Sequence, residues 1–288
     1  MGIVENAQFG LARAWADRIF KFFMRLNRFL ASAGLGSRRS VEQIILEGRV
    51  RINGQVVTDL ATKVLPTDAV KVGNRLLRPE STLHAVMHKP VGIMCTANDD
   101  RGRRTIFEFL PPDWPRVHHV GRLDRDSEGI LLITNDGELT NELTHPSHEV
   151  EKEYEVLLDR PFDVGLHREK MLRGFRIQSG FAKCERVEVI KPNHLRLILK
   201  QGLNRQIRLM LYDVGGYEVE RLMRVRLGPI VLGDLPPGQW RFLSNKEVAG
   251  LRDASGPAAK KVKSATKMPM KPRAIAAKVA PKVEEIEE

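Results

Sequence analysis

An unbroken apolar run, Ile130-Leu131-Leu132-Ile133, closed by Thr134 and the polar turn Asn135-Asp136-Gly137, sets the frame for this chain. A short apolar run bounded by turn residues is read as a buried strand. The segment feeding it is Gly121-Arg122-Leu123-Asp124-Arg125-Asp126-Ser127-Glu128-Gly129. Arg122 and Asp124 therefore sit on a loop just ahead of a strand that must be covered. An aspartate beside an arginine in such a place can be held ionised and aimed at a substrate.

The pattern around the run is that of a larger domain. From His84 to about Leu251, strand-like and helix-like segments alternate. The strand candidates are Ala85–His88, Ile130–Thr134, Glu153–Leu158, Cys184–Ile190, Leu195–Lys200 and Tyr217–Val225. Helices are expected over Gly137–Thr144, Asp163–Arg173 and Arg205–Val214, and Ser244-Asn245-Lys246-Glu247 is a capping box that opens a last short one. Short strands joined by turns favour a mixed, mainly antiparallel sheet with flanking helices over a regular βαβ repeat, which puts the fold in the α+β class.

A smaller unit precedes it over 24–79, with 80–83 as linker. Leu26, Phe29, Leu30 and Ala33 recur at i, i+3, i+4 and i+7, one face of a helix, and Gly34 and Gly36 end it. Ser37 or Ser40 can cap a second helix whose Val41, Ile44 and Ile45 share a face, closed by Gly48. Arg49-Val50-Arg51-Ile52 alternates like a strand, and Asn53-Gly54 turns it into Gln55-Val56-Val57. Arg25, Arg28, Arg38, Arg39, Arg49 and Arg51 lie off the apolar faces, so the unit presents a basic surface.

The ends read differently. Residues 1–23 carry Trp15, Ile19, Phe20, Phe22 and Phe23, enough for a short amphipathic helix, but lack the apolar core and cleavage site of a secretory signal. Met24, just before the periodic pattern, is as good a start as Met1. Residues 252–288 are rich in Ala, Lys and Pro, nearly free of aromatics, and expected to be disordered. Their acidic end, Glu284 to Glu288, follows a basic stretch suited either to weak electrostatic attachment to a polyanion or to solubility.

With 47 Lys and Arg against 36 Asp and Glu, the net charge of +11 points to a polyanionic partner. Two cysteines, Cys95 and Cys184, exclude a disulfide scaffold and a Cys-rich zinc module, and make a reducing cytoplasm the expected location. No apolar run approaches the roughly 18 residues of a membrane span. His118-His119 and His145-Pro146-Ser147-His148 have no carboxylate or cysteine cluster to complete a metal site, so no metal is expected.

Two resemblances follow from these residues. The pattern from Leu26 to Val57, with its arginines, resembles the S4 RNA-binding domain, which implies docking on structured RNA through phosphate contacts. The run from Gly121 to Gly137 resembles the catalytic loop of RNA pseudouridine synthases, in the branch acting on ribosomal RNA. Lys89-Pro90-Val91-Gly92, Lys152-Glu153-Tyr154 and Gln201-Gly202-Leu203-Asn204-Arg205-Gln206-Ile207-Arg208 match the other motifs of that family in order. Where relatives often read Glu-Gly-Arg, Gln201-Gly202-Leu203 is similar to one branch that modifies a uridine in 23S ribosomal RNA and, in some members, a transfer RNA.

The resemblance implies a cofactor-free enzyme that isomerises uridine to pseudouridine. Asp124 would be the nucleophile, Tyr154 would pack against the extruded base, and Arg208 would pair with Asp124 and keep it ionised. Arg122 would aid base extrusion, Arg205 would add an RNA contact, and the Lys-Pro segment would be architectural. A carboxylate nucleophile suits a reaction that breaks and remakes a glycosidic bond. Redox balance does not change, and no dinucleotide-binding or Walker glycine loop occurs. The expected partner is ribosomal RNA, and the simplest assembly is a monomer. The competing readings are an S4-bearing ribosome-assembly factor that binds rRNA without modifying it, and a DNA- or membrane-surface binder using the basic tail.

Overall fold

The computed structural model describes residues 23–97, 99–145 and 147–255. The extension over 1–22 and the tail from 256 to 288 lie outside the described residues. The described residues fall into two compact units, those within 23–83 with 111–118, and those within 84–110 with 119–255.

In the first unit, β1 (Met24–Arg25) leads into α1 (Leu26–Ser32) and α2 (Arg38–Leu46). Ser37 is the residue that caps α2, its side chain accepting from the Ser40 amide at 3.0 Å. The strands are β2 (Val50–Ile52), β3 (Gln55–Val57), β4 (Lys63–Val64), β5 (Val70–Val72) and β6 (Arg75–Leu76). Asn53 and Gly54, at φ 51° and 89°, turn β2 into β3 as a tight left-handed hairpin turn demands. The sheet runs β3-β2-β5-β6, and β1 pairs with β4. Leu26, Leu30, Val41, Ile45, Val50, Val64 and Val70 fill the core. Arg25, Arg38, Arg39, Arg49 and Arg51 are exposed and Arg28 is half-buried.

The second unit is built on β7 (His84–Lys89), β8 (His118–Val120), β9 (Glu128–Thr134), β10 (Lys152–Leu158), β11 (Phe175–Ile177), β12 (Gly180–Ala182), β13 (Arg186–Lys191), β14 (His194–Leu199), β15 (Val219–Leu227), β16 (Ile230–Val231) and β17 (Trp240–Phe242). Its helices are α3 (Gly137–Thr144), α4 (Val164–Arg173), α5 (Gln206–Gly215) and α6 (Asn245–Ala254). A mixed sheet runs β13-β14-β10-β15-β9-β7-β17, with β8 beside β9 and β16 beside β15. Only β15 and β9 run parallel along that order. The hairpin β11–β12 stands apart.

Two strands begin two residues later than their composition suggests: β13 starts at Arg186 and β15 at Val219. Cys184 and Tyr217, which read as strand, are instead buried in the turns before them, where apolar burial without ladder pairing mimics a strand in sequence. The helix opened by the Ser244 capping box runs to Ala254, past the expected tail boundary at 252. Arg252 belongs to it, held by Asp136 at 2.6 Å and Glu142 at 3.0 Å.

All seven residues of β9 are buried, as its apolar run requires. Ile130 and Leu132 join a core with Leu139 and Leu143 of α3 and Leu251 of α6. Val156, Leu158, Leu195 and Leu197 join another with Met171 of α4 and Ile207, Met210 and Leu211 of α5. Side chains alternate across a strand, so the first core lies on the face of Ile130 and the second on the face of Gly129.

Candidate active site

The loop ahead of β9 is clamped from two sides. On one side is the end of β7. Lys89, 0% exposed, donates from Nζ to the carbonyls of Ser127 at 2.7 Å and Pro90 at 3.0 Å. The Gly92 amide donates to the Arg125 carbonyl at 2.7 Å. The Leu123 amide faces the Cys95 thiol, whose pKa burial pushes up. On the other side is the start of α5. Arg208 donates from Nη2 to the Asp126 carbonyl at 2.8 Å, and its Nε lies 3.2 Å from Asp126 Oδ2. Arg205, the left-handed residue that caps α5, reaches the same oxygen at 3.1 Å.

Asp124 stands between these anchors. Leu123 before it and Ser127 after it are buried, while Asp124 is half-buried, so backbone packing presents its carboxylate at an accessible edge. The Ser127 amide closes the turn on the Asp124 carbonyl at 3.1 Å. Among the described residues no ion-pair partner lies within 4.0 Å of the Asp124 carboxylate. The expected direct pair of Arg208 with Asp124 is therefore corrected: the arginine is taken by Asp126, two residues on. The reason is local, since the turn at Arg125 and Asp126 carries the loop toward the N-terminal end of α5.

Burial lowers the pKa of the Arg208 guanidinium, and Asp126, then Asp124, work against that shift after it. Burial likewise lowers the Lys89 ammonium, with Cys95, Asp124, Asp126 and Glu128 opposing. The loop thus sits among cations that face no excess of carboxylate, a setting suited to an anionic substrate.

Tyr154 reaches this region through strand register. Lys89 pairs with Gly129, Gly129 with Arg224, Arg224 with Tyr154, and Tyr154 with Leu197. These residues form one row across five adjacent strands, and directly paired residues share a face of the sheet. Half-buried Tyr154 packs against the α4–α5 core. Lys152 on the same strand donates to the carbonyls of Val150 and Lys200. Arg122 is exposed on the loop.

Sequence reasoning did not single out Asp126, Cys95 or Arg224. Asp126 lies inside the motif already read, but its grip on α5 is a long-range contact. Arg224 carried no signal, because a register shift between β10 and β15 decides which way it points. Among the described residues no group of three His, Cys, Asp or Glu side chains could hold a metal ion, and no helix is long and apolar enough to cross a membrane.

Known proteins align with both units. Residues 84–213 match the RNA pseudouridylate synthase family and residues 24–70 match the S4 domain. An uncharacterized RNA pseudouridine synthase of Aquifex aeolicus is 37% identical over 81% of this chain and 95% of its own length. Ribosomal large subunit pseudouridine synthase B of Bacillus subtilis is 36% identical over 79% of this chain and 95% of its own. Dual-specificity RNA pseudouridine synthase RluF of Escherichia coli is 37% identical over 79% and 78%. A solved pseudouridylate synthase superposes with a TM-score of 0.58 at 26% identity, over 79% of this chain and 99% of that one. With an S4 domain ahead of a synthase domain, and relatives at 36% and 37% identity matched over 95% of their length, the chain belongs to the RNA pseudouridine synthases.

Proposed function

We propose that this enzyme converts a uridine of 23S ribosomal RNA to pseudouridine with Asp124 as nucleophile and no cofactor. Residues 24–79 dock the RNA and residues 84–251 carry the chemistry. The observation that carries this reading is the geometry of the loop. Asp124 is half-buried and without an ion-pair partner among the described residues, on a turn held rigid by Lys89 and Arg208. A nucleophile fixed in place but not tied up in a salt bridge meets the requirement of covalent catalysis.

In the proposed reaction the Asp124 carboxylate attacks C1′ of the uridine. The C1′–O bond forms as the C1′–N1 bond breaks, and the electron pair leaves with the base. The base turns on Tyr154, and C5 attacks C1′ as the C1′–O bond breaks and returns the carboxylate. N1 takes up a proton, C5 loses one, and the product is an isomer of the substrate. Arg208 acts at one remove, orienting the loop through Asp126. Arg122 helps extrude the nucleotide, a step that costs a few kcal/mol, while Arg205 and the arginines of the first unit, Arg25, Arg28, Arg38, Arg39, Arg49 and Arg51, contact the RNA.

The choice of the large-subunit RNA is supported by the name of the Bacillus relative, and the name of the Escherichia relative gives reason to look at transfer RNA as well. The test is a pseudouridine map of total rRNA and tRNA. A strain lacking the protein is compared with the same strain carrying the wild type or Asp124→Asn. One site in 23S rRNA should vanish in the deletion and return only with the wild type. Identical maps would reject this target and leave either a substrate outside these RNAs or an rRNA-binding assembly factor on a synthase scaffold, which crosslinking to RNA would tell apart.

A further inference from the structure

Arg224 is a cation that the protein itself leaves incompletely matched. It is 3% exposed and lies in the middle of the sheet, and among the described residues its guanidinium makes one hydrogen bond, from Nε to the carbonyl of Ile130 at 2.8 Å. Its Nη2 is buried with no hydrogen-bond partner, and among the described residues no carboxylate lies within 4.0 Å of the guanidinium. An arginine cannot escape this cost by losing its proton, as a lysine can. A buried charge with donors left over is strongly unfavourable unless something else accepts from it.

Its place on the sheet says what the acceptor is. Arg224 stands directly opposite Tyr154 on one side and Gly129 on the other, on the face of the sheet that carries Tyr154. Gly129 follows the Asp124 loop, and its lack of a side chain lets β9 come up against the backbone of Arg224. Lys152 and Cys95 both feel its charge, and the thiol of Cys95 faces the amide of Leu123, next to Asp124. The unmatched donor therefore lies between the residue on which the base is proposed to stack and the loop that carries the nucleophile.

We propose that Arg224 is a further catalytic residue, whose free Nη2 donates to a carbonyl oxygen of the uracil and stabilises the negative charge the base acquires when C1′–N1 breaks. This rests on the isomerase reading above. The charge delocalises onto the carbonyl oxygens, and a fixed donor aimed at charge that develops during reaction is the most effective form of electrostatic catalysis. The bond strengthens as the base becomes an anion and weakens again once C5 has bonded to C1′ and N1 has taken up its proton.

The experiment compares wild type, Arg224→Gln and Arg224→Lys on a short synthetic RNA carrying the mapped site. That single position holds either uridine or 5-fluorouridine, whose fluorine already stabilises the base anion. Single-turnover loss of the N-glycosidic nucleoside is scored by digestion and mass spectrometry, RNA affinity is measured in parallel, and folding is checked by thermal melting. Arg224→Gln should slow uridine about 100-fold or more, slow 5-fluorouridine clearly less, and leave RNA affinity unchanged. Arg224→Lys, which keeps the cation, should fall between, and it carries the same comparison if the glutamine variant does not fold. Equal slowing of both substrates, or a defect confined to RNA affinity, would overturn the assignment while leaving the enzyme reading intact. A folded wild type inactive on uridine would overturn both.

Discussion

Arg208 grips Asp126, not the candidate nucleophile two residues before it: Nη2 donates to the Asp126 carbonyl at 2.8 Å and Nε lies 3.2 Å from its carboxylate. Arg205 joins the same carboxylate at 3.1 Å, and Arg208 Nη1 donates to the Val219 carbonyl at 2.7 Å. One arginine thus ties together the catalytic-loop turn, the first turn of α5 and the start of β15. The arrangement separates two tasks that a direct pair with Asp124 would merge. Asp126 absorbs the arginine and fixes the loop, and the Asp124 carboxylate is left without an ion-pair partner among the described residues, as the proposed nucleophile requires.

Asp126→Asn should therefore lower kcat/KM by about 10- to 100-fold through misplacement of the loop, with RNA affinity nearly unchanged. Asp124→Asn should give no turnover at all. Steady-state kinetics and filter binding on the same RNA separate the two. An Asp126→Asn enzyme with wild-type kcat would show that the clamp does not orient the nucleophile.

At Gly129 β9 packs tightly against the backbone of β15. The glycine sits at φ 108°, and a Cβ there would fall 2.6 Å from the Arg224 amide nitrogen and closer still to its carbonyl oxygen. Backbone cannot yield as a side-chain end can. Gly129→Ala should destabilise the fold by about 3 kcal/mol or more, read as a lower denaturant midpoint. A variant within 1 kcal/mol of wild type would mean the two strands can separate locally at little cost.

Lys152 carries a pH signature. Burial, and then the charge of Arg224, lower its pKa from 10.5 to about 8. In the unfolded chain the ammonium returns to its ordinary value. Between about pH 8 and 10.5 the unfolded chain binds a proton that the folded one does not, so stability due to this residue rises with pH across that window. Below pH 8 both states are protonated and the folded state bears the full cost of burying the charge. The unfolding free energy of wild type minus that of Lys152→Met should increase by about 2 kcal/mol over the window, less than the whole shift because the ammonium is not wholly out of water. A flat difference would mean the ammonium stays hydrated.

If the arginines of the first unit take phosphates, replacing exposed Arg38, Arg39 and Arg51 with glutamine should weaken RNA binding without changing which uridine is modified. The slope of log affinity against log salt should fall by about 2 to 3. An unchanged slope would assign RNA docking to the second unit alone.

How far the amino-acid sequence reached, and where it stopped, follows from the range of the interactions. The helices over Gly137–Thr144 and Arg38–Leu46, the Asn53-Gly54 turn and the buried strand after Asp124 were all legible, because caps, turn residues and apolar period act within a few positions. The loop that carries the proposed nucleophile Asp124 was legible for the same reason: it is contiguous, and its residue types are themselves the signal. Strand partners were not. β17 joins β7 across about 150 residues of chain, β15 lies parallel to β9, and the short strands β4, β5 and β6 are too brief for their alternation to stand out. The site's electrostatics followed the same division. Local sequence determined that Asp124 would stand on a loop beside arginines. Only the tertiary fold decided that Asp126 takes Arg208, that Lys89 is buried beneath the loop, and that a shift in register turns Arg224 toward Tyr154, because each of these depends on which strands and helices meet.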